Sequence, residues 1–446
     1  MSSWEYRPLS DFLTAREERY KPNDSFIASF KRINKIDFTG QIHILEKPTR
    51  TDMIVVNPGD LVISGINVAK GALAVYEGDE PVVATIHYSS YTFDKNKIDI
   101  DFLKRFLKSP SFIIELQNQV KGGIKTEIKP KHLLPLKLKI PNLAEQQIIN
   151  RYFNAIENEA IYLSNEITTQ STLLSQLRQA ILQEAIEGKL TAGWRKENPI
   201  RKGDPDFDAE ALLKKIKIEK EKLIKEGKIK KQKPLAPIKA EELPFELPEG
   251  WVWTRLGEIC SKIGSGSTPK GSNYTTVGFP FFRSQNIYDS GLLYDDIKYI
   301  SNSVHENMQG TVVLKNDLLL NITGGSLGRC ALVPNDFKEG NVSQHVCIIR
   351  AILSNHNYFH FLVLSPLFQR YVFNSTTGAG REGLPKYNLE LFIIPLPPLA
   401  EQQAIVNRVE KLISMVDELE KQVSERKEQS EQLMQAVLRE AFEGGK

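Results

Sequence analysis

PNLAEQQ, at Pro141–Gln147, is written again as PPLAEQQ at Pro397–Gln403, 256 positions further along the chain. Solenoid repeats have periods of about 20 to 50 residues, so a period this long points to a duplicated domain-plus-helix instead. Each heptapeptide follows or contains proline where the first turn of a helix tolerates it. Extending both copies without gaps aligns LRQAILQEAIEGK, ending at Lys189, with LMQAVLREAFEGG, ending at Gly445. Both close on Glu-Gly, and glycine readily takes the left-handed conformation that stops a helix. The reading is one helix of roughly 45 residues per copy, about 68 Å long at 1.5 Å per residue.

Within each helix the apolar residues recur every seven positions. Ile149, Ile156, Leu163 and Leu177 form one line, and Phe153, Ala160, Ile167, Leu174 and Ile181 the next. The second copy repeats them as Ile405, Leu412, Leu419 and Leu433, and as Val409, Val416, Val423 and Val437. That is the pattern of a coiled-coil seam, with Gln170, Arg426 and Ser430 as polar members near mid-helix that cost stability and can fix register. Since both copies sit in one chain, the expected arrangement is an antiparallel intramolecular pair with pseudo-two-fold symmetry. A homodimeric coil is the alternative.

The segments before the helices correspond too. WEYRPLSDF at Trp4 matches WVWTRLGEI at Trp251, PGDLVIS at Pro58 matches KNDLLLN at Lys315, and AKGALAV with Lys70 matches GRCALVP with Arg329. Short β-branched runs bounded by Gly, Pro and Asn predict α+β domains rich in strands and loops. The expected organisation is a first domain at 1–140, a helix at 141–189, a linker at 190–247, a second domain at 248–396 and a second helix at 397–446. The linker holds a lysine-rich run, with eleven lysines against three glutamates between Ala211 and Ala240. A solvated helix with a Pro-rich tether and a nucleic-acid or partner contact are both open readings of it.

Composition is that of an ordinary globular chain: 446 residues, 41% hydrophobic and 25% charged, with a net charge of only +3. The opening MSSWEYRPLSDF has no apolar signal core and no stretch is long enough to span a membrane, so the expectation is a soluble, cytoplasmic protein with no membrane partner. Cys260, Cys330 and Cys347 form no CxxC pair and no zinc spacing, and read as buried free thiols.

Catalytic motifs fail on inspection. IGSGSTPKGSNY (Ile263–Tyr274) resembles a phosphate loop, but Lys270 precedes Gly271 instead of following the last glycine, and Pro269 removes a backbone donor. Pro205-Asp206 with Glu226-Gly227-Lys228 only loosely imitates a metal-dependent nuclease. Asn198-Pro199-Ile200 lacks the second proline and aromatic by which amino-methyltransferases hold an extruded base. The seven histidines flank no nucleophile elbow. No catalytic residue, metal site or cofactor is assigned to the chain.

Several loops instead carry side chains suited to base edges and phosphates. FFRSQNIYDSG places Arg283, Ser284, Gln285 and Asn286 in a row, and Arg, Gln and Asn can pair bidentately with guanine or adenine. Ser267, Thr268, Lys270, Asn273 and Tyr274 come from the GSGSTPKGSNY stretch. Arg329 closes NITGGSLGR, Ser343 and Gln344 belong to NVSQH, and Arg381 and Lys386 to TTGAGREGLPKY. In the first domain the candidates are Lys70, Thr85, Lys125 and Lys131.

Taken in order, these residues resemble the specificity (S) subunits of type I DNA restriction-modification enzymes. The likeness covers the paired Pro-x-Leu-Ala-Glu-Gln-Gln helix starts, the paired helix ends, GKLTAGWR after the first helix, ELPEGWVWTRLGEI at the second domain, and GSGSTPK, RSQNI, TGGSLGR, NVSQH and TGAGREGLPKYNLE within it. The first domain departs from the pattern, having VVATIHY where the second has NVSQHV and no GSGSTP counterpart. The resemblance implies two target-recognition domains, each reading half of a split, asymmetric double-stranded DNA site, held apart by the two helices. It also implies docking of two methyltransferase (M) subunits, which use S-adenosylmethionine on adenine N6, and of restriction/translocase (R) subunits that use ATP and Mg. This chain would then be non-catalytic. A stand-alone bipartite DNA-binding regulator or architectural protein is the alternative, and a coiled-coil scaffold that does not touch DNA a further one.

Overall fold

The computed structural model describes residues 4–45, 49–119, 127–269, 271, 273–376 and 383–443. The first domain opens with β1 (Glu5–Pro8) and closes with β10 (Lys137–Ile140), which pair antiparallel from Glu5 opposite Ile140 to Pro8 opposite Lys137. Between them lie β2 (Leu13–Ala15), β3 (Arg32–Ile36), β4 (Ile42–Leu45), β5 (Met53–Val56), β6 (Leu61–Ser64), β7 (Leu73–Val75), β8 (Val82–Thr85) and β9 (Tyr88–Phe93). Three helices follow: α1 (Ile100–Phe106), α2 (Pro110–Gln119) and α3 (Pro130–Leu133). The strands form two four-stranded sheets, ordered β2-β9-β6-β7 and β4-β3-β8-β5.

After α4 (Leu143–Ile186) come α5 (Ala192–Glu197) and α6 (Ala209–Lys225), and then the second domain. It is bounded in the same way by β11 (Val252–Arg255) and β22 (Ile393–Leu396). Its strands are β12 (Cys260–Ser265), β13 (Phe279–Phe282), β14 (Ile287–Tyr288), β15 (Gly291–Leu292), β16 (Lys298–Ile300), β17 (Val312–Val313), β18 (Leu318–Asn321), β19 (Cys330–Leu332), β20 (Gly340–Val342) and β21 (Val346–Ala351). Its helices are α7 (Leu256–Ile259), α8 (Asn302–Glu306), α9 (His356–Leu364), α10 (Pro366–Asn374) and α11 (Lys386–Leu391), and α12 (Leu399–Glu443) ends the chain's described part. The sheet orders β12-β21-β18-β19 and β16-β13-β20-β17 repeat those of the first domain strand for strand. Even the one parallel neighbour pair recurs, β3 with β8 and β13 with β20.

Local chemistry explains why the two halves match. PGDLVIS and KNDLLLN each put an aspartate before a wholly buried central strand, β6 or β18. Asp60 accepts from Arg16 through both oxygens at 2.6 and 2.9 Å, and from Ser90 and the Asn57 N–H. Asp317 accepts from Arg350 at 2.6 and 2.7 Å and from the Leu314 N–H. A buried carboxylate is tolerable only when so paired, and a fork of two N–H donors is the strongest available partner.

The repeated heptapeptide has an equally concrete role. Gln146, fully buried, accepts from the Asp99 N–H at 2.7 Å and donates to the Pro141 carbonyl at 2.8 Å. Gln402 does the same between the Asn355 N–H and the Pro397 carbonyl. Asp99 and Asn355 are the N-caps of α1 and α9. One glutamine per copy therefore ties the last strand, the domain's helical layer and the long helix together.

By contact density the chain divides into two compact units, Met1–Thr169 with Val423–Lys446, and Gln170–Gln422. Each unit thus contains one domain and part of both long helices. In the second unit the two helical segments run antiparallel: Thr191 and Arg195, just beyond α4, meet Glu401 early in α12, whereas Arg178 reaches back to Asp417 and Glu420. Phe153, Ile167, Leu174, Ile181, Ile405, Val409 and Val416 are buried, and Ile149, Ile156, Leu163, Leu412 and Val423 are partly covered. The seam is narrower than the heptads imply, because Leu177, Leu419 and Leu433 are 45%, 44% and 65% exposed. Two helices side by side cover one stripe on each other, and a second stripe is covered only where a domain also packs on it.

Candidate nucleic-acid interface

Five loops of the second domain are stitched together by hydrogen bonds to backbone carbonyls. The Ser343 N–H donates to the Phe282 carbonyl, joining NVSQH to RSQN, and the Ser267 N–H donates to the Val342 carbonyl, joining GSGSTP to NVSQH. The Leu384 N–H donates to the Ile322 carbonyl, and Asn321 Nδ2 donates to the Ser284 carbonyl at 2.9 Å. Gly266 has to be glycine here, since a Cβ would lie 1.8 Å from the Val342 oxygen.

On this base sits a chain of side chains. Thr268 donates to the Gln344 amide oxygen, Gln344 Nε2 lies 3.0 Å from His345 Nε2, and His345 Nδ1 lies 2.7 Å from the Thr323 hydroxyl. With the Gln344 oxygen accepting from Thr268, its NH2 donates to His345 Nε2, and the imidazole proton resides on Nδ1 toward Thr323. Gln344 and His345 are exposed. The amide of Gln344 is held in one orientation, with a second N–H and a second oxygen lone pair left to face a ligand.

A second cluster surrounds Asp296, whose backbone has φ +50°. Its carboxylate accepts from Arg283 at 3.1 Å, Gln285 at 3.0 Å and Lys298 at 2.8 Å. Lys298 and then Arg283 hold the carboxyl down at about 2. Arg283 and Gln285 are therefore aligned by one acid.

Other predicted residues are placed differently. Asn286 is wholly buried and bonds the Arg283 N–H and the Leu293 carbonyl, so it builds the turn and cannot meet a base. Ser343 is 4% exposed and is equally out of reach. Ser284 is partly covered and Tyr274 packs on Phe281 at 5.7 Å, while Ser267 and Asn273 are exposed. Lys386 is exposed and pairs with Glu390 at 3.2 Å. Lys125, Lys270 and Arg381 lie outside the described residues.

The first domain carries the same scaffold with other chemistry. The Gly65 N–H donates to the His87 carbonyl and the Ile128 N–H to the Gly65 carbonyl, as Ile322 to His345 and Leu384 to Ile322 do in the second. His87 is thus the counterpart of His345, but it pairs with Glu127 at 2.8 Å and holds that carboxyl below its ordinary range. The Lys70 and Arg329 correspondence also has substance. Both are exposed, with Lys70 5.6 Å from the centre of the Phe38 ring and Arg329 4.9 Å from that of Tyr288. Thr85 is partly covered in β8, and Lys131 is exposed on α3.

Sequence reasoning missed His345, Thr323, Asp296 and His87 as site residues. Thr323 and His345 are 22 residues apart, His87 and Glu127 40, and Asp296 lies 11 to 13 residues beyond Gln285 and Arg283, in another loop. Only the register between the two halves, which sets His87 against His345, could have found one pair. A third group explains the motifs around the linker: buried Glu401 accepts from Thr191 at 2.7 Å, from Arg195, and from Trp251 Nε1 at 2.7 Å. GKLTAGWR, LPEGW and LAEQQ therefore meet on one carboxylate. The three cysteines are buried free thiols, with Cys260 and Cys347 pushed up to about 12 by burial. Among the described residues no group of three or more His, Cys, Asp or Glu could hold a metal, and no helix is long and apolar enough to cross a membrane.

Residues 248–429 match the model of the type I restriction modification DNA specificity domain. The chain is 32% identical over 263 residues to the type I restriction enzyme EcoAI specificity subunit of Escherichia coli, a match covering 56% of this chain and 42% of that one. It therefore spans less than half the length of that relative. Its fold is similar to a chain in a solved structure titled for complex assembly and conformational transition of the type I R-M system, with TM-score 0.61, 17% identity and coverage of 99% and 98%. It is also similar to the HsdS subunit from Thermoanaerobacter tengcongensis, with TM-score 0.53, 18% identity and coverage of 100% and 97%.

Proposed function

We propose that this chain, which belongs to the specificity-subunit family of type I restriction-modification systems, reads a bipartite, asymmetric DNA site and recruits the subunits that act on it. The observation that carries the reading is the fixed Gln344 amide. Glutamine held with one free donor and one free acceptor matches the N7 and N6 edge of adenine in the major groove. Arg283, aligned by Asp296, is the matching donor for guanine. The two domains share a scaffold yet present different groups at its rim, His87 with Glu127 in one and His345 with Gln344 in the other, which suits two unlike half-sites.

On this reading the chain performs no chemistry. Two methyltransferase subunits supply S-adenosylmethionine and the transfer to adenine N6, restriction subunits supply ATP- and Mg-dependent cleavage, and the complex works in the cytoplasm of a prokaryote. The purified chain should neither methylate nor cut DNA. Methylome sequencing of cells expressing it with a methyltransferase partner should reveal one split motif. Turnover by the single chain, or no motif at all, would overturn the reading.

A further inference from the structure

The lysine-rich run of the linker is not a loose tether. Its helix α6 buries Ala209, Leu212 and Ile216, and Lys220 donates to the Gly257 carbonyl and to Gln232. Lys217 pairs with Glu258 of α7 at 3.7 Å. The proline-rich stretch that follows is fastened as well, since Arg255 donates to the Ala236 and Pro237 carbonyls and pairs with Glu242. The helix is a fixed ledge on the second domain.

What the ledge displays is charge. Residues 209–233 hold ten lysines, four glutamates and no arginine, a net charge of +6 in a chain whose total is +3, so the remainder of the protein carries −3. At about 100° per residue, Lys214 and Lys225 fall opposite Leu212 and Ile216, and Lys215 and Lys222 fall along one flank of that buried stripe. All four are exposed, and only Lys222 has an ion pair, with Glu219 at 3.7 Å. Lys230, Lys231 and Lys233 extend the run beyond the helix, exposed and without a salt bridge among the described residues. Ala209, Leu212 and Ile216 are buried and Leu213, Leu223 and Ile224 are partly covered, so Ile218 is the helix's one large exposed apolar side chain, too little to hold it in a lipid surface.

We infer that this lysine face is a sequence-independent grip on the phosphate backbone of duplex DNA, separate from the loops that read bases. The inference rests on the DNA-reading function proposed above. Lysine is a compact point charge without the planar fork that arginine offers to a guanine edge, so an all-lysine surface positions a duplex without selecting its sequence. A polyanion is the partner that a +6 patch on an otherwise acidic chain fits.

The test uses the full chain and a mixed-sequence duplex of about 40 base pairs, with affinity followed by fluorescence anisotropy across KCl concentrations. The variant K214Q/K215Q/K222Q/K225Q should lower the slope of log K against log[KCl] by about 2 to 4, at roughly 0.9 per lost phosphate contact. Arginine at the same four positions should restore the slope, separating charge from folding. In cells, the glutamine variant should methylate less but keep the same motif. An unchanged slope with the motif kept would overturn the grip and leave the DNA-reading function standing. So would an altered motif, since the lysines would then read bases, or loss of an acidic protein partner with DNA binding intact. Failure of the unaltered chain to bind the duplex would overturn both.

Discussion

Asp296 shows how much a single side chain decides at the rim of the second domain. Its carboxylate gathers Arg283, Gln285 and Lys298, and its positive φ places it where the three converge. Because its folded value lies below the ordinary carboxylate value, what it contributes to ordering the loop is complete above about pH 4 and is lost as pH falls toward 2. Carboxyl NMR should find Asp296 titrating near 2, and Arg283→Ala should move it up. A midpoint that Arg283→Ala leaves in place would mean that Lys298 alone sets it. Toward DNA, Arg283→Ala should cost about 1 to 3 kcal/mol and relax one position of one half-site. Equal weakening on every sequence would make Arg283 a phosphate contact. Residue type alone could not separate Arg283 from Asn286, three positions away. Both are base-reading types, but Asn286 is consumed by its own turn, and burial is a property of the folded chain that a row of polar letters does not carry.

At the scale of elements, the long helices were legible because proline, a heptad run and Glu-Gly repeat twice, and α4 and α12 span Leu143–Ile186 and Leu399–Glu443. The sheets were legible only as strand-rich domains. Pairing such as β1 with β10 joins residues as far apart as Glu5 and Ile140, and no local pattern states it. The glutamine clamp is where motif and element meet. Gln402→Ala would strand the Asn355 N–H and the Pro397 carbonyl, and leaving buried polar groups unsatisfied costs about 1 to 3 kcal/mol. Denaturant unfolding should show that loss, and Gln146→Ala should show a similar one through the Asp99 N–H. The seam makes a sharper contrast. Ile405→Ala, at a fully buried position, should cost about 2 to 5 kcal/mol. Leu419→Ala, two heptads further along the same line and 44% exposed, should fall within about 0.5 kcal/mol of the parent. Equal losses would mean that this heptad line stays buried as far as Leu419 in solution.

For the whole molecule the decisive quantity is helix length, because α4 and α12 are the elements that both compact units share. If the two domains read two half-sites, the helices set the gap between them. Deleting one heptad from each, Leu163–Thr169 and Leu419–Glu425, keeps the seven-residue phase of the seam while removing about 10.5 Å at 1.5 Å per residue. That is roughly three base pairs at ~3.4 Å each. Three base pairs also turn the duplex through about 100°, so the variant should bind more weakly, since one domain must then meet its groove at a different angle. The recognition loops lie outside both deleted segments, so the bases of each half-site should not change. Methylome sequencing of cells carrying the double deletion with the methyltransferase should therefore return the two parental half-sites with a shorter spacer, methylated less completely. Half-sites with altered bases and an unchanged spacer would show that the helices do not measure the gap, and that readout and spacing are not divided between loops and helices.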